Sequence, residues 1–501
     1  MPEPAKPSDL TDEARDQHHS ALGAAASRGV ALLVGRGLVV KVIGMAALVV
    51  AARILTPTDF GLLAIGFTFC LIGTTLADGG LGAGLIRAVE SPTRQDLRSV
   101  MGFQLVATIV LAVLVSLASI PFGRSGAVTA ILVWSVPSSA FRVPATIITE
   151  RALDYGPIAR ADVIQALVGA AGSVGGLLLG AGVWSVAVSN TVAVWVGAIV
   201  AMFAVPGARL WPSLRIAPIR RLLAFGAQFQ AISIVQLVRD QGLNLGVAAL
   251  AGPAILGYWS LAGRVLQVPF LILGSLWRVS YPAMAALVNS GADASIAVKK
   301  TLRKSTIGMG LVLAPTGAAS VSGVTLVFGD QWGPTGKVVA SMCLILTVTG
   351  PVSVACAGYL SAAGRIRSVL VTSAVNAAVW LSLTLPLVHS LGTAAIVIGF
   401  ALASPAEATI FSIATRRQLG VSPGLVASVT ALPAIAGLAL GVLAGAGLAN
   451  GLAATVAAAI TALAATLLGF RIGFRGDLEA VASTLRSSLS RRKQVEVAGP
   501  P

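Results

Sequence analysis

The chain has 501 residues, of which 56% are hydrophobic and only 11% are charged, with a mean hydropathy of +0.89. Soluble domains carry roughly 25% charged residues, so the composition disfavours a soluble enzyme and a nucleic-acid-binding domain and predicts an integral membrane protein. The 35 Lys and Arg against 19 Asp and Glu give a formal net charge of +16, which in a membrane protein can record topology. Cys70, Cys343 and Cys356 lie in apolar stretches without metal-site spacing, so no metal or other cofactor is expected.

Apolar stretches alternate with charged and turn residues along the chain, and their number predicts the number of membrane crossings. A membrane-spanning helix needs about 20 predominantly apolar residues, and fourteen stretches meet this need. They lie at about 29–53, 60–84, 101–121, 126–146, 158–180, 183–205, 222–250, 254–277, 305–328, 335–362, 367–388, 391–413, 424–446 and 451–470. None shows the short alternating pattern of barrel strands. The predicted fold class is an all-α integral membrane protein with about 14 transmembrane helices.

The same map predicts the domain organisation. A cytoplasmic tail (1–27) precedes an N-lobe of helices 1–6 (28–205), and a basic cytoplasmic linker (206–221) leads to a C-lobe of helices 7–12 (222–415). Helices 13–14 (416–472) are followed by a cytoplasmic basic tail (473–501). Within that tail, residues 477–493 place Leu478, Val481 and Leu485 on one helical face beside basic residues. This pattern predicts an amphipathic helix on anionic membrane lipids, with a solvated tail as the alternative.

Lys and Arg are distributed unevenly between the two predicted sides of the membrane. With the N-terminus in the cytoplasm, 28 of the 35 fall in cytoplasmic segments, Arg142 among them, and three fall in outward-facing ones. Since Lys and Arg favour the cytoplasmic side, this partition predicts a multi-pass protein of the cell membrane with both termini in the cytoplasm. It also accounts for most of the +16, so no nucleic-acid partner is expected.

The two six-helix series share a weak internal repeat. Pro57 and Gly61 join the first two helices, and Pro253 and Gly257 occupy the same places between the seventh and eighth, 196 residues later. An even-numbered repeat predicts two parallel halves, an arrangement that some transporters use around a central site.

Three segments resemble a known family. AARILTPTDFGLLA at 51–64, ADGGLGAGLI at 77–86 and VPATIITERALDY at 143–155 resemble Wzx-type lipopolysaccharide and exopolysaccharide flippases of the multidrug/oligosaccharidyl-lipid/polysaccharide exporter superfamily. The resemblance implies two six-helix lobes around a central cavity, plus two C-terminal helices. It also implies transport of polyprenyl-diphosphate-linked oligosaccharide from the inner to the outer leaflet, without enzymatic chemistry, beside polymerase and glycosyltransferase machinery as further partners.

Charged residues within the predicted spans are the candidates for substrate binding. An Arg or Lys at a helix centre costs about 2.5–3.5 kcal/mol on insertion scales, so such residues are expected to face a cavity, pair with acids or reach the interface. The cations are Arg36, Lys41, Arg239 and Arg264, and the acids are Asp78, Asp240 and Glu407. Arginine binds phosphate oxygens bidentately whereas lysine acts as a point charge. The hypothesis is that Arg36, Arg264 and Lys41 hold the diphosphate, with Arg239 lining the same cavity.

The competing interpretation of these charges is a structural ion-pair network, in which Arg36 pairs with Asp78. Adjacent helical residues point about 100° apart, so Arg239 and Asp240 are expected not to pair with each other. Glu407, near the inner end of helix 12, is a candidate coupling site for a proton or Na⁺, with local pairing as the alternative.

Three other classes of function are alternatives to a flippase. A drug or small-molecule exporter of the same superfamily would share the fold, but twelve helices are expected there, and a cationic cavity favours a flippase. A membrane-embedded polymerase or ligase would need a sizeable outward loop with catalytic groups, and the predicted outward connections are short. A non-transporting membrane scaffold would have little reason to carry the intramembrane charges.

Overall fold

A computed structural model describes residues 35–81, 85, 92–267, 269–270, 294–448 and 451–483, with only the backbone described over 216–232. The described part of the chain is helical, with short turns and no strand. Eleven of its helical stretches are long and apolar enough to cross a membrane. The predicted all-α membrane fold is therefore confirmed, and the protein is a multi-pass membrane protein.

The chain divides into two compact units, Met1–Leu55 with Leu62–Ser233, and Thr56–Gly61 with Ile234–Pro501. The helices before residue 216 are α1 (Gly35–Ile54), α2 (Pro57–Asp78), α3 (Arg94–Ser119), α4 (Gly123–Val133), α5 (Ser138–Ala152), α6 (Gly156–Leu178) and α7 (Val183–Ala204). Helix α8 (Ile216–Ala251) contains the boundary between the units. The remaining helices are α9 (253–267), α10 (Ala294–Phe328), α11 (Gly333–Ala362), α12 (Ile366–Leu391), α13 (Thr393–Leu419), α14 (Pro423–Ala446), α15 (Leu452–Gly473) and α16 (475–483).

The third and fourth predicted crossings lie in one continuous helical stretch. The helical stretch Arg94–Ala152 has 59 residues, about 88 Å at 1.5 Å per residue, and a hydrocarbon core is about 30 Å thick. It folds back at the 3₁₀ turn Ile120–Phe122 and at Gly123, whose φ is 54°. Helices α4 and α5, with 11 and 15 residues, are each too short to span and together form the fourth crossing.

Local sequence chemistry sets several helix ends. Thr56 and Asp59 form a capping box at the start of α2, since the Thr56 amide donates to Asp59 Oδ2 (3.1 Å) and the Asp59 amide donates to Thr56 Oγ1 (3.2 Å). Helix α2 ends at Asp78, where Gly79 and Gly80 have φ values of 52° and 78°. These two glycines were expected to lie within a helix and instead stop it, because positive φ favours glycine. Gly82 and Gly84 lie outside the described residues.

The repeated Pro and Gly positions meet inside the second unit. A Cβ added at Gly61 would clash with the Pro253 carbonyl, and one added at Gly257 would clash with the Pro57 carbonyl. Each glycine thus allows the backbone of the other segment to approach closely, and the two Pro–Gly segments pack against each other in the same way. The adjoining Trp332 ring is fully buried and makes an edge contact with Phe60 at 4.8 Å.

The C-terminal tail is described up to residue 483. Helix α16 is half-buried at Leu478 and Val481, and Arg303 Nη1 lies 3.5 Å from Asp477 Oδ2. The rest of the predicted amphipathic segment lies outside the described residues.

Candidate functional site

The second unit contains a cavity of about 560 Å³ among α8, α9, α10, α11, α12 and α13. Three of the predicted site residues line it: Arg239, Asp240 and Glu407. The two acids and one arginine give these groups a formal charge of −1. The cavity is therefore acidic rather than cationic, and we call it the acidic cavity.

Arg239 and Asp240, which are adjacent on α8, form an ion pair at the cavity wall. This corrects the expectation that they do not pair. Arg239 Nε donates to Asp240 Oδ1 at 2.7 Å, and the two side chains remain 25% and 46% exposed. The Cα–Cβ bonds diverge, but the long arginine side chain bends back to reach the neighbouring carboxylate. The same guanidinium group lies 6.0 Å from the centre of the Trp380 ring.

Glu407 is half-buried on α13 and forms no hydrogen bond with any described residue. Arg239 lines the same cavity and is close enough to act electrostatically on the Glu407 carboxyl group. Buried polar side chains line the same space: Thr349, Asn376 and Ser404 are 2–4% exposed, and Ser404 Oγ donates to Thr349 Oγ1 at 2.7 Å. The cavity that contains Glu407 is therefore also lined by buried amide and hydroxyl groups.

Aromatic side chains also line the acidic cavity. Trp259 and Trp380 meet edge to face at 5.9 Å, and Trp380 lies 4.9 Å from Phe400. Two indole N–H groups are satisfied, since Trp259 Nε1 donates to Asn244 Oδ1 (3.2 Å) and Trp380 Nε1 donates to the Ile396 carbonyl (3.2 Å). These bonds fix the ring orientations, so the aromatic wall is preorganised.

Arg264 lies on α9, next to the acidic cavity. Its helix neighbours Gly263 and Leu266 line the cavity, whereas the half-buried Arg264 is not among the lining residues. The structure therefore brings together three of the four predicted site residues of this unit.

The first unit contains a separate cluster around Asp162, which we call the Asp162 cluster. Arg36 Nη1 on α1 lies 2.6 Å from Asp162 Oδ2 on α6, and Arg142 Nη2 on α5 pairs with Asp162 Oδ1. Arg142 Nη1 also donates to Gln165 Oε1 at 3.2 Å. Two guanidinium groups thus share one carboxylate, and the three charged groups carry a net charge of +1.

The competing interpretation paired Arg36 with Asp78, and the structure pairs Arg36 with Asp162 instead. Asp78 lies at the end of α2, where its carboxylate accepts a hydrogen bond from the buried Gln104 (Nε2–Oδ1, 3.4 Å) and one from the Gly80 amide (3.3 Å). Lys41 is half-buried on α1 and forms no ion pair with any described residue. Five residues separate it from Arg36, which turns it about 140° around the helix.

Sequence reasoning missed Arg142 and Asp162. Arg142 was counted as cytoplasmic although it lies within the predicted fourth span, 126–146, and α5 continues beyond that span to Ala152. Arg142 lies ten residues before that end, about 15 Å along the axis. Asp162 lay inside a predicted span all along, and an acid within an apolar stretch was a usable signal.

Comparison with known proteins supplies the family. A model described as "Polysaccharide biosynthesis protein" matches residues 50–336, which is more than half of the chain. The lipopolysaccharide biosynthesis protein WzxC of Escherichia coli (strain K12) is 25% identical over 317 residues, which are 60% of this chain and 63% of WzxC. The match therefore spans a little under two thirds of that relative.

Two solved structures share the fold. The lipid II flippase MurJ, in an inward closed conformation, has a TM-score of 0.69 at 11% identity, over 89% of this chain and 99% of MurJ. An inward-facing multidrug resistance MATE family transporter of the MOP superfamily has a TM-score of 0.56 at 14% identity, over 76% of this chain and 94% of the transporter.

The two solved structures are a flippase and a transporter, and they show the fold that this chain shares with them. The resemblance to Wzx-type flippases is confirmed by the relative and by the shared transporter fold. With its family model matched over residues 50–336, the chain belongs to the polysaccharide biosynthesis protein family.

Proposed function

We propose that this protein is a flippase that moves polyprenyl-diphosphate-linked oligosaccharide from the inner to the outer leaflet of the bacterial cytoplasmic membrane by alternating access. Three findings support the proposal: the family match, the similarity to a lipopolysaccharide biosynthesis protein, and a fold shared with a lipid II flippase. The substrate class joins an anionic diphosphate to an apolar lipid and a polar glycan, so the protein needs intramembrane groups that recognise the diphosphate.

The observation that carries this proposal is the excess of positive charge in the Asp162 cluster. Arg36 and Arg142 lie in membrane-spanning helices and share one carboxylate, and both keep about a quarter of their side-chain surface exposed. Desolvated cations are expensive in a membrane, and an arginine fork binds phosphate oxygens with directed hydrogen bonds. A net positive, partly exposed cluster is therefore suited to an anionic headgroup.

Lys41 and Arg264 are proposed as further diphosphate contacts, and Arg239 receives a different role. Lys41 forms no ion pair with any described residue, so its charge is available to an anion. Arg239 is paired with Asp240 and shares the acidic cavity with Glu407, which leaves no net positive charge there for a phosphate. We assign Arg239 to positioning the acids.

The acidic cavity is proposed as the coupling site for a proton or Na⁺. Its charged groups sum to −1, and Glu407 shares the cavity with the buried side chains of Thr349, Asn376 and Ser404. One proton or monovalent cation would neutralise the site, which removes the cost of an uncompensated charge away from water. Binding of this ion would then bias the equilibrium between the inward-open and outward-open states.

The surroundings of the protein follow from the charge pattern. We propose that both termini lie in the cytoplasm, with the basic linker and tail facing anionic lipids of the inner leaflet. Polysaccharide polymerase and glycosyltransferase machinery are the proposed protein partners, because they would consume and supply the lipid-linked oligosaccharide.

The proposal is tested in a strain that lacks the protein and makes the corresponding surface glycan. Loss of the protein should leave lipid-linked oligosaccharide on the cytoplasmic side and remove surface glycan, and the wild-type chain should restore both. Arg264→Glu should insert into the membrane at normal levels and fail to restore export, since it places an acid where an anion is to pass, whereas Arg264→Lys should retain part of the activity. Loss of the protein without accumulation contradicts the flippase, and full export by Arg264→Glu contradicts the role of Arg264.

A drug or small-molecule exporter is the second candidate function, favoured by the aromatic wall of the acidic cavity. Cations bind over aromatic faces with about 0.5–2 kcal/mol of stabilisation, and Trp259, Trp380 and Phe400 lie in one cavity with Glu407. Organic cations would therefore suit this site. Export of a cationic dye that is unchanged by Arg264→Glu and lost in Glu407→Gln would support the exporter over the flippase.

A further inference from the structure

The carboxylate of Asp162 occupies the position of a small bridging anion. Each of its two oxygens is taken by a different arginine, Oδ2 by Arg36 at 2.6 Å and Oδ1 by Arg142. The two arginines come from α1 and α5 and the acid from α6, so three helices meet at one carboxyl group. The side chains of Arg36, Arg142 and Asp162 are 28%, 26% and 18% exposed, so a ligand can reach them without unfolding of the cluster.

The charges within the cluster do not balance. Two guanidinium groups face one carboxylate, and the third polar group in contact, Gln165, offers only a neutral amide oxygen to Arg142 at 3.2 Å. A diphosphate presents anionic oxygens on two phosphorus atoms and carries more negative charge than a carboxylate. Guanidinium forks bind both types of oxygen by the same geometry, so a diphosphate could satisfy both arginines at once and also remove their charge excess.

We propose that Asp162 is an internal competitor for the substrate's diphosphate, and that Arg142 is a contact residue for the diphosphate together with Arg36. This inference rests on the proposed flippase function and adds the residues that set its affinity. In the empty site Asp162 holds the two guanidinium groups together. Substrate binding moves the arginines from the carboxylate to the diphosphate, and return of the carboxylate helps to release the headgroup.

The competition weakens binding for a functional reason. When only a fraction of the protein has its site free, the apparent dissociation constant rises by the inverse of that fraction. A flippase must release its substrate in the outer leaflet, and an arginine pair without a competing acid would hold a diphosphate too tightly for rapid turnover. Asp162 therefore lowers the affinity for the diphosphate and speeds its dissociation.

The experiment measures binding of geranylgeranyl diphosphate to the purified full-length protein in lipid nanodiscs, with geranylgeranyl monophosphate as the comparison ligand. Asp162→Asn should bind the diphosphate roughly tenfold more tightly, the size of an ordinary coupling between two binding events, with slower dissociation and slower glycan export. Arg142→Gln should bind it roughly tenfold more weakly. Asp477→Asn is the matched control because Asp477 also faces an arginine, Arg303, but outside the cluster, and its affinity should be unchanged.

Failure of the competitor role and failure of the flippase function give different results in this experiment. If the wild type binds the diphosphate and exports glycan while Asp162→Asn binds no more tightly, the competitor role is overturned and the flippase stands. If the wild type neither binds the diphosphate nor exports glycan, both proposals fail. If the Asp162→Asn protein does not insert into the membrane, Arg142→Gln becomes the reference variant. In Arg142→Gln the positive charge of Arg36 and the negative charge of Asp162 cancel. There the double variant Asp162→Asn/Arg142→Gln should bind more tightly than Arg142→Gln alone, and equal or weaker binding contradicts the proposal.

Discussion

At the scale of single residues, the sequence identifies the intramembrane charges but not their partners. Arg36, Arg239 and Glu407 stand out in apolar stretches because each carries an insertion cost. The partner of Arg36, however, is Asp162, 126 residues along the chain and four crossings away. Which acid it meets depends on how α1 and α6 are rotated and how deep each lies, and hydropathy contains neither quantity.

The pair between Arg239 and Asp240 shows a second limit of residue-level prediction. Helical geometry separates the directions of adjacent Cβ atoms, and this led to the expectation of no pairing. The observed 2.7 Å contact depends on the torsion angles of a long flexible side chain, whose charged end is not confined to the direction of its Cβ. Backbone spacing is therefore a sound guide for short side chains and a poor one for arginine.

The role of Glu407 gives a prediction at this scale. Glu407→Gln removes one negative charge from the acidic cavity with little change in volume, so the cavity becomes neutral beside the Arg239–Asp240 pair. We expect export in reconstituted vesicles to lose its dependence on an imposed proton or Na⁺ gradient and to fall about tenfold or more under that gradient, comparable to loss of an ordinary coupling free energy of 1–3 kcal/mol. Transport is followed as protection of labelled lipid-linked oligosaccharide from an external reagent.

The matched control for this variant is Glu479→Gln. Glu479 is two-thirds exposed and pairs with Arg475 on α16, so its loss removes a surface carboxylate without touching the acidic cavity, and gradient dependence should persist. Unchanged gradient dependence in Glu407→Gln would contradict the coupling assignment.

At the scale of helices, hydropathy predicts the crossings well because the bilayer imposes one length on all of them. Every backbone polar group in the hydrocarbon must be satisfied within its helix, so long apolar runs have only one available structure. The ends are less predictable, since they depend on local turns. Helix α5 runs past the expected end at residue 146 to Ala152, and that extension places Arg142 ten residues from the helix end rather than four.

The Pro–Gly crossing between the repeats gives a prediction at this scale. Gly61→Ala and Gly257→Ala each add a methyl group that clashes with a proline carbonyl, Pro253 and Pro57 respectively. Backbone atoms cannot rotate away as a side chain can, so the helices must separate. Overpacking of this kind typically costs about 1–3 kcal/mol, and we expect each variant to lower the midpoint of thermal unfolding in detergent and to reduce the folded yield.

Gly175→Ala is the comparison variant for this crossing. Gly175 lies within α6, and a Cβ there would meet no atom within 4 Å. Replacing a helical glycine by alanine should leave stability unchanged or raise it by up to about 1 kcal/mol. A Gly61→Ala protein as stable as Gly175→Ala would contradict the close approach of the two segments.

At the scale of the whole molecule, the number of crossings and the internal repeat are linked. Pro57 and Pro253 start equivalent helices 196 residues apart, and their reciprocal contacts with Gly257 and Gly61 give the repeat a physical reason. The sequence therefore predicts the helical plan and its duplication. It does not predict that the charges divide into a net positive cluster and an acidic cavity, because that division depends on which helices pack together.

Orientation is the last property of the whole molecule that can be tested directly. The α6–α7 connection contains Leu179 at 88% exposure and no Lys or Arg, whereas the 205–215 connection contains Trp211 at 83% exposure between Arg209 and Arg215. Since basic segments stay in the cytoplasm, a Leu179→Cys variant in a chain freed of Cys70, Cys343 and Cys356 should react with an impermeant thiol reagent in intact spheroplasts. Trp211→Cys should react only after the membrane is permeabilised. Labelling of both variants from one side would contradict the predicted crossing of α7, which lies between the two positions. The reversed pattern would place both termini outside, and topology could then no longer explain the distribution of Lys and Arg.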